Sequence, residues 1–330
     1  MYNCYFFSNA RTSLSVGIEY LDIKKEEIIL IPDYNCISVK NIIKTKKNNF
    51  LYYNINNNFT PDWIHINKLL NNHNIAAIIS VNYFGFPSNI YEFRKFCIKK
   101  KIYLIEDNSH GYSSISNNNA LGSIGDISIT SFTKQLNVVC GGLLQINILN
   151  NSNFDFYNNL NKKKIKYYDY LKNYIRRHFP YLSNVIRFNF KTKHNYNNPL
   201  AFHDNDTEMH LIDNFSFNYI KNFNKMSHML HRNKSYQIWQ DYFKLNFNLN
   251  PIFSIYEYPT VSPWCFPLLT YDLSMRNNLL NWAYKNKIIA FTWPSLPYEL
   301  IESNSQSFQL WEKVICFSLD KIPNKIKYDF

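Results

Sequence analysis

Two stretches decide the fold: Ala76-Ala77-Ile78-Ile79-Ser80-Val81 and Ile102-Tyr103-Leu104-Ile105-Glu106. Each is a near-continuous apolar run of strand length, and the segment between them, 88–101, has helical periodicity. A strand apolar on both faces is buried on both sides, as in a parallel sheet covered by helices. Working outward, 27–31, 50–53, 126–131 and 142–146 read as further strands, with Pro32-Asp33 stopping the first of them. Segments 12–22, 37–45 and 61–71 read as helices, the last with Pro61 in its first turn and Thr60 as its N-cap. The alternation predicts an α/β fold with a mostly parallel central sheet flanked by helices.

Beyond residue 150 the pattern changes. Residues 150–208 are rich in Asn, Lys and Tyr with weak periodicity, and read as a variable excursion. Residues 211–245 read as one long helix. After it come a strand at 266–269, a helix at 273–286 and a strand at 288–290. The expected division is a large domain over 1–208 and a smaller C-terminal α+β domain over 209–330.

The 330 residues include 46% hydrophobic and 18% charged side chains, enough to bury a core and too apolar for disorder. Only 7 glycines occur, which excludes collagen-like and glycine-linker classes. The formal charge of +12 is spread over short lysine runs such as Lys99-Lys100-Lys101 and Lys162-Lys163-Lys164. No base-stacking aromatics interleave with them in any repeat, so a solvated basic surface or an anionic substrate fits better than nucleic acid. The six cysteines form no C-x-x-C pair, which excludes the common zinc and redox motifs and fits a reduced, cytoplasmic protein. There is no basic, then apolar leader at the N-terminus, and no apolar run of membrane-spanning length.

Four local segments carry possible chemistry. In Ser8-Asn9-Ala10-Arg11-Thr12-Ser13-Leu14 small and hydroxyl residues open a helix, whose N-terminus suits a phosphate or is an ordinary cap. In Leu30-Ile31-Pro32-Asp33-Tyr34-Asn35-Cys36, either Tyr34 or Cys36 faces a planar ring, or both only pack. In Ile105-Glu106-Asp107-Asn108-Ser109-His110-Gly111, Asp107 ends a buried strand, where ligands of open α/β sheets gather; it pairs with a cationic nitrogen or caps the next helix. In Ser131-Phe132-Thr133-Lys134-Gln135-Leu136, a lysine follows an apolar strand and precedes Gly141-Gly142. A desolvated lysine there is a Schiff-base nucleophile, and an exposed one is a turn residue.

The ordered set S-x-A-R-T-S-L (8–14), I-P-D-Y-N-C (31–36), Y-F-G-F-P (83–87), I-E-D-N-S-H-G (105–111), S-F-T-K-Q-L-(x)4-G-G (131–142) and F-T-W-P (291–294) resembles the DegT/DnrJ/StrS sugar aminotransferases. The resemblance runs over about 5–147 and 209–297. It implies the type I fold of pyridoxal 5'-phosphate (PLP) enzymes and a homodimer with sites at the subunit interface. By the same resemblance Lys134 carries the cofactor as an imine and Asp107 holds its ring nitrogen. His110 stands beside the ring oxygen, and Ala10, Arg11, Thr12 and Ser131 contact the phosphate. The retained lysine separates the chain from related dehydratases, which have histidine there. The chain departs from the family pattern at Ala10, where glycine is usual, and at Cys140, where an acidic residue often precedes the glycine pair.

The resemblance therefore implies transfer of an amino group, with glutamate as donor, to a nucleotide-linked keto sugar in surface polysaccharide or deoxysugar biosynthesis. No metal, nucleic acid or membrane partner is expected. His203, Asn205 and Asn214 are candidates for residues supplied across the dimer. The alternative is a cofactor-bound but catalytically inactive sensor or scaffold of the same fold.

Overall fold

A computed structural model of the chain describes residues 3–148, 155–178, 208–320 and 322. The first part runs β1 (Asn3–Phe7), α1 (Ala10–Tyr20), β2 (Ile28–Pro32), α2 (Ile37–Thr45), β3 (Asn49–Tyr53), α3 (Trp63–Asn72), β4 (Ile75–Val81), α4 (Ile90–Lys100) and β5 (Tyr103–Asp107). A small hairpin of β6 (Ile115–Ser116) and β7 (Asn119–Ala120) follows, then β8 (Ile127–Ser131) and β9 (Gly142–Ile146). Seven of these strands form one sheet in the order β1-β9-β8-β5-β4-β2-β3. Only β9 runs against its neighbours, β1 and β8; the other pairs are parallel. The mostly parallel sheet expected from the apolar runs is what the chain forms.

The period-2 geometry of strands divides each apolar run between two cores. Ile29 and Ile31, Ala77 and Ile79, and Ile105 join Leu14 and Ile18 of α1 on one face. Leu30, Ile78 and Leu104 point to the other face and join the second half of the chain there. That half contributes α5 (Asp155–Asn158), α6 (Tyr167–His178), α7 (Asn214–Lys221), α8 (Lys225–Phe247), β10 (Cys265–Leu269), α9 (Leu273–Lys285), β11 (Ala290–Phe291), α10 (Tyr298–Glu302), α11 (Gln306–Trp311) and β12 (Val314–Ser318). Its antiparallel sheet, β10-β12-β11, packs Phe266 and Phe317 against Trp239 of α8 within the same core.

Several elements differ from the sequence reading. Strand β1 was not anticipated; it pairs with β9 at the sheet edge, Phe7 opposite Gly142. Helix α3 starts at Trp63, not at Pro61, because Asp62 is the cap and accepts the N–H groups of Ile64 and His65 at 3.0 Å. Pro61 is instead held extended in a bridge to Ile55. The helix expected over 211–245 is two, α7 and α8. Asp213 caps the first through the Ser216 N–H, and Asn224 caps the second through the Ser227 N–H. The late strand is Ala290–Phe291 and not 288–290.

Asp33, in the turn after β2, is 3% exposed and ties three elements together. Its Oδ1 accepts the Ile55 N–H at 2.9 Å, and the Ser307 hydroxyl of α11 donates to the carboxyl. Burial nevertheless pushes it up to about 7. An unfolded aspartate loses its proton near 4, so between about pH 4 and 7 the folded chain holds a proton the unfolded chain has released. Stability from this group is therefore full at low pH and is lost as pH rises through 7. Wild type is expected to lose about 2.5 kcal/mol more than Asp33→Asn between pH 5 and pH 8, read from denaturant midpoints. Parallel pH profiles for the two proteins would refute this.

Candidate active site

The carboxyl ends of β5 and β8 and the start of α1 surround a cavity of about 610 Å³. Lys134 and Asp107 both line it, together with Ala10, Arg11, His110 and Ser131. The chain brings them together through strand adjacency: Asp107 of β5 pairs with Ile129 of β8, two residues before Ser131. A single 3-10 turn over Phe132–Lys134 then carries the lysine back over the strand ends.

At one end of the cavity α1 begins. Asn9 caps it, accepting the Thr12 N–H at 2.9 Å and the Thr12 hydroxyl at 3.2 Å on Oδ1. Ala10 and Arg11 line the cavity at this N-terminus, where backbone N–H groups and the positive dipole end favour a phosphate. Ala10 is helical and outside the left-handed region, so its Cβ costs nothing where the family uses glycine. Thr12 differs from its neighbours: its N–H and hydroxyl bond to Asn9 Oδ1, and it is not among the residues that line the cavity. Ser131 does line the cavity, its Oγ 3.3 Å from Thr133 Oγ1.

Adjacent acidic residues on β5 point opposite ways. Glu106 faces inward and is fully buried. Its oxygens accept the N–H groups of Gly122, Ile124 and Gly125 and the Asn82 amide, which orders the loop before β8. Asp107, 6% exposed, faces the cavity and accepts the Ser109 N–H on Oδ1 at 2.9 Å. The other sequence candidates separate. Cys36 lines the cavity at the start of α2. Tyr34 is a correction: its ring is fully buried between Phe59, Tyr83 and Trp293, and its hydroxyl donates to the Trp293 carbonyl at 2.6 Å. It packs and does not face a ligand.

Lys134 Nζ lies 2.6 Å from His110 Nε2. It sits 5.1 Å from the ring of Trp264 and 5.7 Å from that of Trp293. Burial holds its amine below the ordinary lysine value, opposed by the charge of Asp107 and by the Cys36 and Cys265 thiols. His110, 2% exposed, is held well below the ordinary histidine value by burial and then by Lys134. Its ring is stacked on Trp264 with centroids 4.4 Å apart and meets the edge of Trp293 at 4.6 Å.

Two residues here escaped the sequence reading. Trp264 precedes β10 in Ser262-Pro263-Trp264, with no local signal to mark it. Arg232 of α8 fixes it: the buried guanidinium donates to the carbonyls of Pro263 and Trp264 and pairs with Asp320 at 2.8 Å. Lys163 looked like one of three surface lysines. Its backbone N–H donates to the Leu211 carbonyl at 2.9 Å, and its side chain lines the cavity. Cys140 also lines the cavity, and its thiol donates to Asp213 Oδ2 at 3.1 Å. Asn214 accepts from Lys162 Nζ at 2.6 Å, while His203 and Asn205 lie outside the described residues.

The donor set fits a phosphorylated aromatic aldehyde: an anion site at a helix N-terminus, an amine of low basicity and a carboxylate in one cavity. Comparison with solved structures gives the fold, which is that of the type I PLP-dependent aminotransferases. Residues 2–148 match the model of the DegT/DnrJ/EryC1/StrS aminotransferase family, which bears out the resemblance read from the motifs over that span. PseC of Helicobacter pylori, an aminotransferase involved in the biosynthesis of pseudoaminic acid, superposes with a TM-score of 0.67 at 15% identity, over 98% of this chain and 84% of that one. The PMP form of Spr1654 from Streptococcus pneumoniae, described as a sugar aminotransferase, gives 0.70 at 15% identity, over 98% and 83%. DesV of S. venezuelae, solved with a ketimine intermediate, gives 0.63 at 12% identity, over 98% and 82%.

Proposed function

We propose that the protein binds PLP in this cavity and uses it to move an amino group from an amino acid, glutamate, to a nucleotide-linked keto sugar. The observation that carries the reading is the shared cavity of Lys134, Asp107 and the start of α1. When bound, PLP supplies an electron sink for breaking and making bonds at the amine-bearing carbon. Lys134 attaches the cofactor and afterwards moves a proton at that carbon. Asp107 holds the proton on the ring nitrogen. Ala10 and Arg11, with Ser131, anchor the phosphate, and Cys36 borders the ring. By holding the phosphate at the start of α1, Ala10 and Arg11 would orient the cofactor for the bond to be broken.

The substrate reading draws on the family and on the net charge of +12, which suits a diphosphate-bearing sugar. Lys163, reaching the cavity from the segment after β9, is the cation best placed in sequence to vary with the substrate. We place the protein in the cytoplasm as a homodimer, at the step of surface polysaccharide or deoxysugar assembly that exchanges a ketone for an amine. Among the described residues no helix is long and apolar enough to cross a membrane.

The test is the first half-reaction. Glutamate added to the PLP-loaded protein is expected to bleach its long-wavelength absorbance and release one equivalent of 2-oxoglutarate. A nucleotide-linked keto sugar should then restore the band. A protein that shows the band but responds to no amino acid would be the inactive cofactor-bound alternative.

A further inference from the structure

The polarity of one hydrogen bond fixes the charge state of the central lysine. His110 Nδ1 accepts the Phe84 backbone N–H at 3.2 Å, so that nitrogen carries no proton. A neutral imidazole then has its proton on Nε2. Nε2 is the atom 2.6 Å from Lys134 Nζ. An N–H facing an ammonium would set donor against donor, so Nζ must be the acceptor, and only an uncharged amine has a lone pair to accept with. The opposite tautomer would press an Nδ1–H against the Phe84 N–H.

Two indoles, one carboxylate and two thiols around Nζ favour the charged form. The indoles of Trp264 and Trp293 offer their rings to a cation. Asp107, Cys36 and Cys265 raise the amine's basicity. Arg11 and Lys163, cations that line the same cavity, oppose that charge, and Cys140 lines the cavity beside them. Burial opposes charge, and His110 is the one neighbour whose hydrogen bond requires the neutral amine. The ring cannot readily turn to offer its other nitrogen. Trp264 stacks on it at 4.4 Å, Phe84 lies parallel beyond at 6.2 Å, and the Trp293 edge closes the side.

We propose that His110 is a positioning residue that keeps Lys134 an uncharged, nucleophilic amine by donating its Nε2–H to Nζ, with the Phe84 N–H setting that tautomer and Trp264 holding the ring's orientation. This rests on Lys134 being the residue that attaches the cofactor, and it adds a duty to His110 before any aldehyde arrives. The amine can then attack a carbonyl directly, without first passing a proton to solvent. A carbon–nitrogen double bond replaces the carbonyl, and the oxygen leaves as water with the two hydrogens that Nζ gives up.

The test reads the amine and not turnover. The full chain, stripped of aldehyde with hydroxylamine, is reductively methylated with formaldehyde and cyanoborohydride across pH 6–10. Lys134 is followed by peptide mass spectrometry, with Lys24 as a surface reference. In wild type Lys134 should reach half-maximal rate well below the pH for Lys24. His110→Phe keeps an aromatic ring but removes the donor, leaving Asp107, the thiols and the indoles to favour the charge. Its profile should move up by about one pH unit, a roughly tenfold slower reaction near neutral pH. His110→Gln, whose amide can donate, should restore most of the rate. An unshifted His110→Phe profile overturns the proposal while leaving the transaminase reading intact. A second measurement needs no variant: nitrogen-15 shifts of His110 should show Nε2 protonated and Nδ1 bare, and the reverse tautomer also overturns it. If Lys134 reacts as proposed yet PLP does not attach to it, the functional reading fails instead.

Discussion

Lys134→Ala is expected to fold, to hold PLP only reversibly, and to lose transaminase activity by more than roughly a thousandfold. The size follows from the two duties assigned to one atom. The amine attaches the cofactor, and general acid–base transfer of the substrate proton alone is worth about 100- to 10,000-fold. No neighbour substitutes for it: His110 is stacked on Trp264, with its Nδ1 committed to the Phe84 N–H. The fold should survive because the side chain borders an open cavity, so the loss leaves space that water can enter. Borohydride treatment of the wild type should fix the cofactor's mass on the peptide containing residue 134. The variant should show no such mass and a thermal midpoint within a few degrees of wild type. Activity within tenfold of wild type would remove Lys134, and with it the assignment of this cavity.

The contrast between Asp107 and Tyr34 explains what was legible in the sequence. Asp107 could be placed because strand ends follow from apolar runs, and in an open parallel sheet the strand ends are where ligands bind. Period-2 alternation then turns Glu106 inward and Asp107 outward. Tyr34 and Cys36 lie two apart in a turn, where no periodicity applies. Which faces the cavity is decided by Phe59, Tyr83 and Trp293, residues up to 259 positions away in sequence. Trp264 was invisible for the same reason: its contact with His110 depends on β10 packing beside the large sheet and on Arg232 holding its carbonyl. Lys163 was hidden by composition, since one lysine in a run of three is set apart only by the backbone bond that turns it. Helix boundaries failed where caps competed, as when Asp62 displaced Thr60.

The glycine pair at the start of β9 makes the second large prediction, and it joins fold to site. A Cβ on Gly142 would lie 2.2 Å from the Asn9 carbonyl carbon, 2.3 Å from its oxygen and 2.5 Å from the Ala10 nitrogen. These are backbone atoms and cannot rotate away. Gly142 is also pinned on both sides, opposite Phe7 of β1 and opposite Ser131 of β8. The only relief in Gly142→Ala is for the start of α1 to move off the sheet, carrying Ala10 and Arg11 with it. Overpacking of this kind costs about 3 kcal/mol or more when the obstacle is rigid. The variant should therefore melt well below wild type and, even where folded, bind PLP more weakly through a displaced phosphate site. Gly17→Ala is the matched control. Its Cβ would meet Ile127 Cδ1 at 2.6 Å and Leu144 Cδ1 at 3.0 Å, both ends of flexible side chains that can shift. It also replaces glycine by a better helix former, worth about 1 kcal/mol in the other direction. Gly17→Ala should thus change stability far less than Gly142→Ala and leave PLP affinity unchanged. Equal losses in the two variants would show that the close approach of β9 to α1 does not shape the phosphate end of the cavity.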